Sequence, residues 1–172
     1  MTDGPLAGAR IELEVGPVAH GGHCVARHAG RVVFVRHALP GERVVAQVTE
    51  DRGGAFCRAD AVEILNASDD RVVAPCPYAH PGGCGGCDFQ HAAPPAQRRL
   101  KAAVVAEQLE RLGGLDSTRV AELFTGVEEL PGGPLGWRTR TRFAVDDAGR
   151  LGLRRHRSHE VVAVESCPIA HP

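Results

Sequence analysis

Between residues 10 and 65 apolar and polar side chains alternate in short runs. Ile11, Leu13 and Val15 take every second position against Arg10, Glu12 and Glu14, the period of a strand with one buried face. Further strands are expected at Cys24 to Ala26, Arg31 to Val35, Arg43 to Thr49 and Ala55 to Leu65, divided by Gly21-Gly22, Gly30, Pro40-Gly41 and Gly53-Gly54. Runs this short, at this spacing, predict a small OB-like β-barrel of about five strands.

The alternation stops between Asn66 and Pro75, and Cys76 to Cys87 is rich in Pro and Gly with no apolar period. Such a loop needs something other than a core to order it. Pro94 and Pro95 suit the first turn of a helix that continues through Ala96 to Leu112 and stops at Gly113-Gly114, with Val105, Leu109 and Leu112 as its apolar stripe. After the Gly- and Pro-rich Pro131 to Gly136, strands are expected at Thr139 to Val145 and Leu151 to Arg157 around an Asp146-Asp147-Ala148-Gly149 turn, with a third at Val161 to Val164. The pattern as a whole predicts a mainly β protein with some α structure. A barrel over residues 1–66 is followed by a small α+β domain over residues 67–172, unfinished at Pro172.

Composition narrows the class. At 172 residues with 43% hydrophobic and 24% charged side chains, the chain suits an ordinary soluble fold. Aromatics, at 4%, are too few for an extended platform that stacks many bases. No apolar run approaches the roughly 18 residues of a membrane span, and Met1-Thr2-Asp3-Gly4 lacks the regions of a signal peptide. A cytoplasmic protein without membrane contact is expected. The net charge of −1 conceals an uneven distribution, because residues 138–172 carry seven cations against four anions, and all seven are arginines.

Six cysteines in a reducing compartment point to metal ligation or catalysis before disulfides. Cys76, Cys84 and Cys87 fit C-x7-C-x2-C, with Gly82, Gly83, Gly85 and Gly86 around the middle ligand. Glycines let a backbone curl about a metal and aim N–H groups at sulfur. Cys167 lies far along the chain but is followed by Pro168, as Cys76 is by Pro77, so both sit in fixed turns. Four thiolates complete either a [4Fe–4S] cluster or a zinc site, and spacing alone leaves both open. The C-x3-C-x2-C of radical S-adenosylmethionine enzymes is not present. Cys24 and Cys57, alone in strands, are expected in the core. His20, His23, His28 and His37 are expected on solvated loops and strand ends. Gln90 and His91 are expected to brace the cysteine loop.

The residues then show a resemblance. Val33-Phe34-Val35 and Leu39-Pro40-Gly41-Glu42-Arg43-Val44 resemble a TRAM domain, a small barrel associated with RNA binding. Cys84-Gly85-Gly86-Cys87-Asp88-Phe89-Gln90-His91, Trp137-Arg138-Thr139-Arg140-Thr141-Arg142-Phe143, Gly152-Leu153-Arg154-Arg155, Ser158-His159-Glu160-Val161-Val162 and Cys167-Pro168-Ile169 follow in the order seen in the N-terminal part of RNA (uracil-5-)-methyltransferases. The resemblance implies that Cys76, Cys84, Cys87 and Cys167 hold a [4Fe–4S] cluster rather than zinc, and that structured ribosomal or transfer RNA is the partner. The x7 gap is longer than the family's, and Gly82 and Gly83 can absorb the extra length.

The resemblance also sets a limit. Uracil methylation needs a cysteine to add to the ring, a base, and a Rossmann-like pocket for S-adenosylmethionine. The sequence shows no Gly-rich turn between strand and helix, so that domain is expected to be absent. No catalytic or S-adenosylmethionine-binding residue is assigned, and the cofactor and catalysis are expected from a separate methyltransferase domain. A stand-alone TRAM-containing RNA-binding protein or chaperone, and a small iron–sulfur electron carrier, are the competing functions. For RNA contact, Arg138, Arg140 and Arg142 alternate on one expected strand and Arg154, Arg155 and Arg157 lie on its expected neighbour, so a hairpin would gather them into a phosphate track.

Overall fold

The alternation of residues 10–65 becomes a curled sheet, seen in a computed structural model that describes residues 6–172. Its strands are β1 (Arg10–Glu14), β2 (Val18–Ala19), β3 (His23–His28), β4 (Arg31–Arg36), β5 (Arg43–Asp51) and β6 (Phe56–Asn66), in the order β1-β5-β6-β4-β3-β2. β4 and β6 run parallel; the other neighbours are antiparallel. Gly16 and Pro17 break the first strand in two. The Gly16 N–H donates to Val25 O (2.8 Å) and the Val25 N–H donates to Pro17 O (2.9 Å), which brings the first strand onto β3 and closes the barrel. A Cβ at Gly16 would lie 2.7 Å from Val25 O, so this close approach requires glycine. The expected five-stranded barrel is thus present, with its first strand in two pieces.

Every second residue fills the interior. Val33, Val35, Val44 and Ala46 have no solvent exposure, and Cys24 and Cys57 are buried among them. Cys24 donates its thiol to Ala38 O (3.4 Å), and burial pushes its pKa up to about 12, so it stays a neutral core side chain. At one end Asp51 accepts from both terminal nitrogens of Arg31 (2.9 and 2.5 Å) and from the Leu6 and Gly53 N–H groups, which hold its carboxyl well below the usual range.

At the other end lies the buried carboxylate of Glu42, in the Leu39-Pro40-Gly41-Glu42 turn. It accepts from the Leu39 N–H (2.8 Å), the Ser68 N–H (3.1 Å) and two Arg71 nitrogens (both 2.6 Å), and Arg71 also donates to His37 O (2.9 Å). One charge therefore joins the barrel turn to the segment that leaves it.

Helix α1 (Pro94–Arg111) begins, as expected, at a Pro-Pro pair. Its buried face differs from the expected one. Ala96 is buried and Leu100 and Val104 pack on the barrel core, whereas Leu112 is 80% exposed and Val105 faces a groove. The helix carries two apolar stripes, and the barrel takes the one that begins beside Leu39 and Ala92. A short α2 (Ser117–Leu123) follows, capped by Asp116, which accepts from the Arg119 N–H (2.9 Å).

The final sheet is smaller than expected: β7 (Ala144–Val145), β8 (Leu151–Arg154) and β9 (Val161–Ala163), in that order. The Asp146 to Gly149 turn forms, with Asp146 accepting from the Ala148 and Arg150 N–H groups. Residues 139–143 are not strand. The Arg138 N–H instead donates to Ile169 O (2.8 Å) and its carbonyl accepts from the His171 N–H (3.0 Å), so this stretch pairs with the C-terminal segment before it reaches the hairpin. No helix is long and apolar enough to cross a membrane among the described residues.

Glu42 yields a pH prediction. Burial pushes its pKa up, but the bonds from Arg71, Leu39 and Ser68 outweigh burial and leave it below 4.5. A carboxylate lowered in the folded state stabilises fully above its unfolded pKa, and that stability is lost as pH falls through the folded value. Thermal unfolding scans between pH 7 and pH 3 should show a smaller acid loss in Glu42→Gln than in the wild type, the remainder coming from Asp51 and the other lowered carboxylates. Arg71→Ala should cost about 3–5 kcal/mol at pH 7 by stranding the buried charge.

Candidate metal centre

The cysteine loop, Cys76 to Cys87, is built from turns rather than from a core. The Ala79 N–H donates to Cys76 O (3.1 Å), the Gly83 N–H to His80 O (2.9 Å) and the Cys84 N–H to Tyr78 O (2.9 Å). A Cβ at Gly83 would meet Tyr78 O at 2.3 Å. Past Cys84 the chain runs against the end of β8, where the Gly85 N–H donates to Arg154 O (3.0 Å) and a Cβ at Gly85 would lie 2.5 Å from the His156 nitrogen. The Gly86 N–H points at Cys84 Sγ (3.3 Å), the sulfur-directed amide that the glycine spacing suggested.

Gln90 braces the loop from the far side. Its Oε1 accepts from the Cys76 N–H (3.1 Å), and its side chain opposes the rise that burial gives the Cys87 thiol. Cys167 approaches along the C-terminal segment, where its carbonyl accepts from the Ala170 N–H (2.9 Å) and the nearby Glu165 N–H donates to the Tyr78 hydroxyl (3.1 Å). Tyr78 thereby holds the Cys167 end of the chain to the first loop, a role that nothing in the sequence pattern marks.

Cys84 and Cys87 respond to their burial and to the other cysteines. Burial pushes the Cys84 and Cys87 thiols up. Cys76 and Cys167 push each of them further, and Cys84 adds to the effect at Cys87. Thiols arranged this way stay protonated until a cation arrives, and binding must release their protons. Even so, no three His, Cys, Asp or Glu side chains converge on a single point that could hold one metal ion among the described residues.

The same segment docks on the barrel. Asp88 accepts from Arg36 (3.0 Å) and lies where a Cβ at Gly22 would be, 2.4 Å away. The His23 ring meets His156 edge to face at 5.8 Å. Two of the histidines expected in solvent are buried instead: His23, lowered by burial, and His37, pushed down to about 3 by burial and the nearby Arg36. Both are neutral packing groups of the junction. His91, also buried, faces Ala38 O (3.4 Å). A groove of about 920 Å³ opens beside Cys87, walled by α1 and by the segment carrying Trp137 and Arg138.

The six arginines fall into two sets. Arg138, Arg140, Arg142 and Arg154 are exposed and form no ion pair among the described residues, with Arg138 stacked on Trp137 (5.5 Å). Arg155 pairs with Glu160 (2.8 Å) and Arg157 with Glu50 of the barrel (3.5 Å). The strand alternation that was to align the first three is not formed, so they share a segment and not a sheet face.

Because the loop rests on close backbone contacts, Gly85→Ala should destabilise the protein by about 1–3 kcal/mol through overpacking. Gly54→Ala, with nothing within 4 Å of its Cβ, should change stability by less than about 0.5 kcal/mol. Chemical denaturation of both variants checks the contrast.

Comparison with known proteins shows what the chain is similar to. Residues 6–62 match the TRAM domain family. An "Uncharacterized RNA methyltransferase" of Streptomyces avermitilis is 61% identical over 172 residues, covering 96% of this chain and 40% of the relative. A protein of Bifidobacterium longum with the same description is 40% identical over 171 residues, covering 94% of this chain and 38% of the relative. The "23S rRNA (uracil(1939)-C(5))-methyltransferase RlmD" of Alkalilimnicola ehrlichii is 36% identical over 167 residues, covering 94% of this chain and 36% of the relative. The chain thus spans well under half the length of the curated relatives it matches. It carries a TRAM domain and is homologous over nearly all of its length to the N-terminal region of RNA methyltransferases.

Proposed function

We propose that this chain is the RNA-gripping portion of an S-adenosylmethionine-dependent RNA (uracil-C5-)methyltransferase, and that Cys76, Cys84, Cys87 and Cys167 hold a [4Fe–4S] cluster within it. The observation that carries the reading is the meeting of two distant segments, Cys76 to Cys87 and the one bearing Cys167, tied by the Tyr78 hydroxyl and the Glu165 N–H, with Gln90 and the Gly86 N–H directed at the cysteines. The donor set fits the cluster. In a four-iron cube each thiolate binds a different iron, so the sulfurs surround a volume. A zinc ion draws all four to about 2.3 Å from one point. Four cysteines with a backbone N–H directed at sulfur have the donor chemistry of the first arrangement.

The cluster would serve as a staple that joins Cys167 to the first loop. Tyr78 and the contact of Gly85 with β8 prepare that junction, and Gln90 orients Cys76 and Cys87 for ligation. The barrel, held to the loop by Arg36 and Asp88, and the exposed arginines present a surface for RNA. The RlmD name of one relative makes ribosomal RNA the first candidate substrate, with transfer RNA the alternative. Methyl transfer itself belongs to a domain outside the described residues.

Two measurements test the reading. Protein purified anaerobically should contain about four irons per chain, and Cys167→Ala should lose both the iron and several degrees of thermal stability. One zinc per chain with no iron would overturn the cluster. If Arg138, Arg140, Arg142 and Arg154 each meet a phosphate, log affinity for a single-stranded RNA should fall against log salt with a slope of about −3. Arg140→Ala with Arg142→Ala should make it shallower by about 1 to 2. An unchanged slope in a folded double variant would remove these arginines from the interface.

A further inference from the structure

We infer that the outer face of β4 and β6, at Phe34, Phe56 and Arg58, is a second RNA contact that takes one unpaired nucleotide, its base on the rings and its phosphate at the guanidinium. This rests on the reading of the chain as RNA-binding and gives the barrel its part in it.

The strand period fixes the direction of these side chains. Val33, Val35, Cys57 and Ala59 are 0 to 1% exposed and fill the interior, so Phe34, Phe56 and Arg58 between them point outward. In the parallel register Phe34 lies opposite Arg58, and Val32 lies opposite Phe56. The two rings meet edge to face at 5.6 Å, and the Arg58 guanidinium sits 5.5 and 5.3 Å from their centroids. Phe56 is 47% exposed. The chain has five phenylalanines, one tryptophan and one tyrosine, and two of these seven rings stand outside the barrel under one arginine, where a polar side chain would serve the fold equally well. This is far from the extended platform that the composition excludes, but it is enough for one base.

Charge points the same way. Glu50 is the carboxylate partner of three guanidinium groups, Arg52 (3.2 Å), Arg58 (3.5 Å) and Arg157 (3.5 Å), and with Asp60 also on this face of β6 these three arginines still outnumber the two carboxylates. The Arg58 Nε reaches only Glu50, at the long distance of 3.5 Å, and makes no hydrogen bond within the described residues. A guanidinium whose carboxylate partner is shared and distant keeps donor capacity for a phosphate. Through Glu50 the patch is also continuous with Arg157 at the end of the arginine-bearing segment, so a strand of RNA crossing one can reach the other.

The test uses the full chain, purified anaerobically, and a fluorescein-labelled single-stranded oligouridylate followed by anisotropy. Phe56→Ala and Phe56→Leu should each weaken binding about ten-fold, while Phe56→Trp should retain it, because a base stacks on an aromatic face and not on an aliphatic chain. Leu keeps the apolar cover of Phe34, so a loss in that variant reports stacking and not unfolding. Arg58→Gln should reduce the salt slope by about 0.7, one phosphate. An oligonucleotide carrying 5-iodouridine should crosslink to peptides containing Phe34 or Phe56. Wild-type affinity in both the Ala and Leu variants, with crosslinks only elsewhere, would overturn this site and leave the RNA-binding reading standing. A wild-type chain that binds no RNA would overturn both.

Discussion

The Glu42 carboxylate is the point on which the two halves of the molecule depend. Four donors converge on it: a backbone N–H of its own turn, a backbone N–H from the segment after β6, and two nitrogens of Arg71. A charge this deeply buried is tolerated only when its acceptor sites are filled. The barrel turn and the outgoing chain must therefore be in place together, or neither is stable. From Arg71 the constraint passes onward in short steps. The Val72 N–H donates to His91 O, and the Ala93 N–H donates to Asp70 O, which sets the start of α1 against Leu39 and Ala92. The Leu-Pro-Gly-Glu turn thus does more than link two strands: it sets the register between the barrel and everything that follows.

Asp88 and Gln90 extend this constraint to the cysteines. Four residues of one short segment have separate tasks: Cys87 is a ligand candidate, Asp88 pairs with Arg36 of the barrel, Gln90 braces Cys76, and His91 packs beneath Ala38. With no room between these tasks, a shift of the cysteine loop must also move the barrel contact. Gly22 reinforces the point, since its backbone lies so close to Asp88 that no side chain fits between them. The position of the cysteine loop and that of the barrel are coupled by geometry alone.

The legibility of the chain followed the strength of its local signals. The barrel strands could be read because each alternates strictly and the interior accepts only one of the two faces. β2 could not, because two residues after a Gly-Pro break carry no period. The helix was legible in its ends and not in its face: Ala96, Leu100 and Val104 recur as regularly as Val105, Leu109 and Leu112, and only the position of the barrel decides between them. The stretch from Arg138 to Phe143 alternates like a strand, but a strand needs a partner, and the partner that Arg138 finds is the C-terminal segment. His23 and His37 looked like surface residues because histidine usually is one, whereas here apolar contact and nearby arginines keep them neutral inside a junction. Spacing singled out Cys76, Cys84 and Cys87, whereas the tie between Tyr78 and Glu165 had no sequence signal, because 87 residues separate that pair.

These facts bear on how a protein with few aromatics and one lysine can present an RNA surface. The inner face of every barrel strand is committed to the core and the cysteine segment to the junction, which leaves the outer face of β3, β4 and β6 and the arginine-bearing segments free to vary. On the outer face the residue types change along the strip. At the inner end His23 and Arg36 are covered by His156 and Asp88; at the open end Phe34, Phe56 and Arg58 reach solvent. A flat array of charges would suit any polyanion, and duplex as well as single strand. A guanidinium over two rings is narrower in its demands, because it needs a planar group beside a negative one. On the reading inferred above, that pair suits a nucleotide whose base is unstacked.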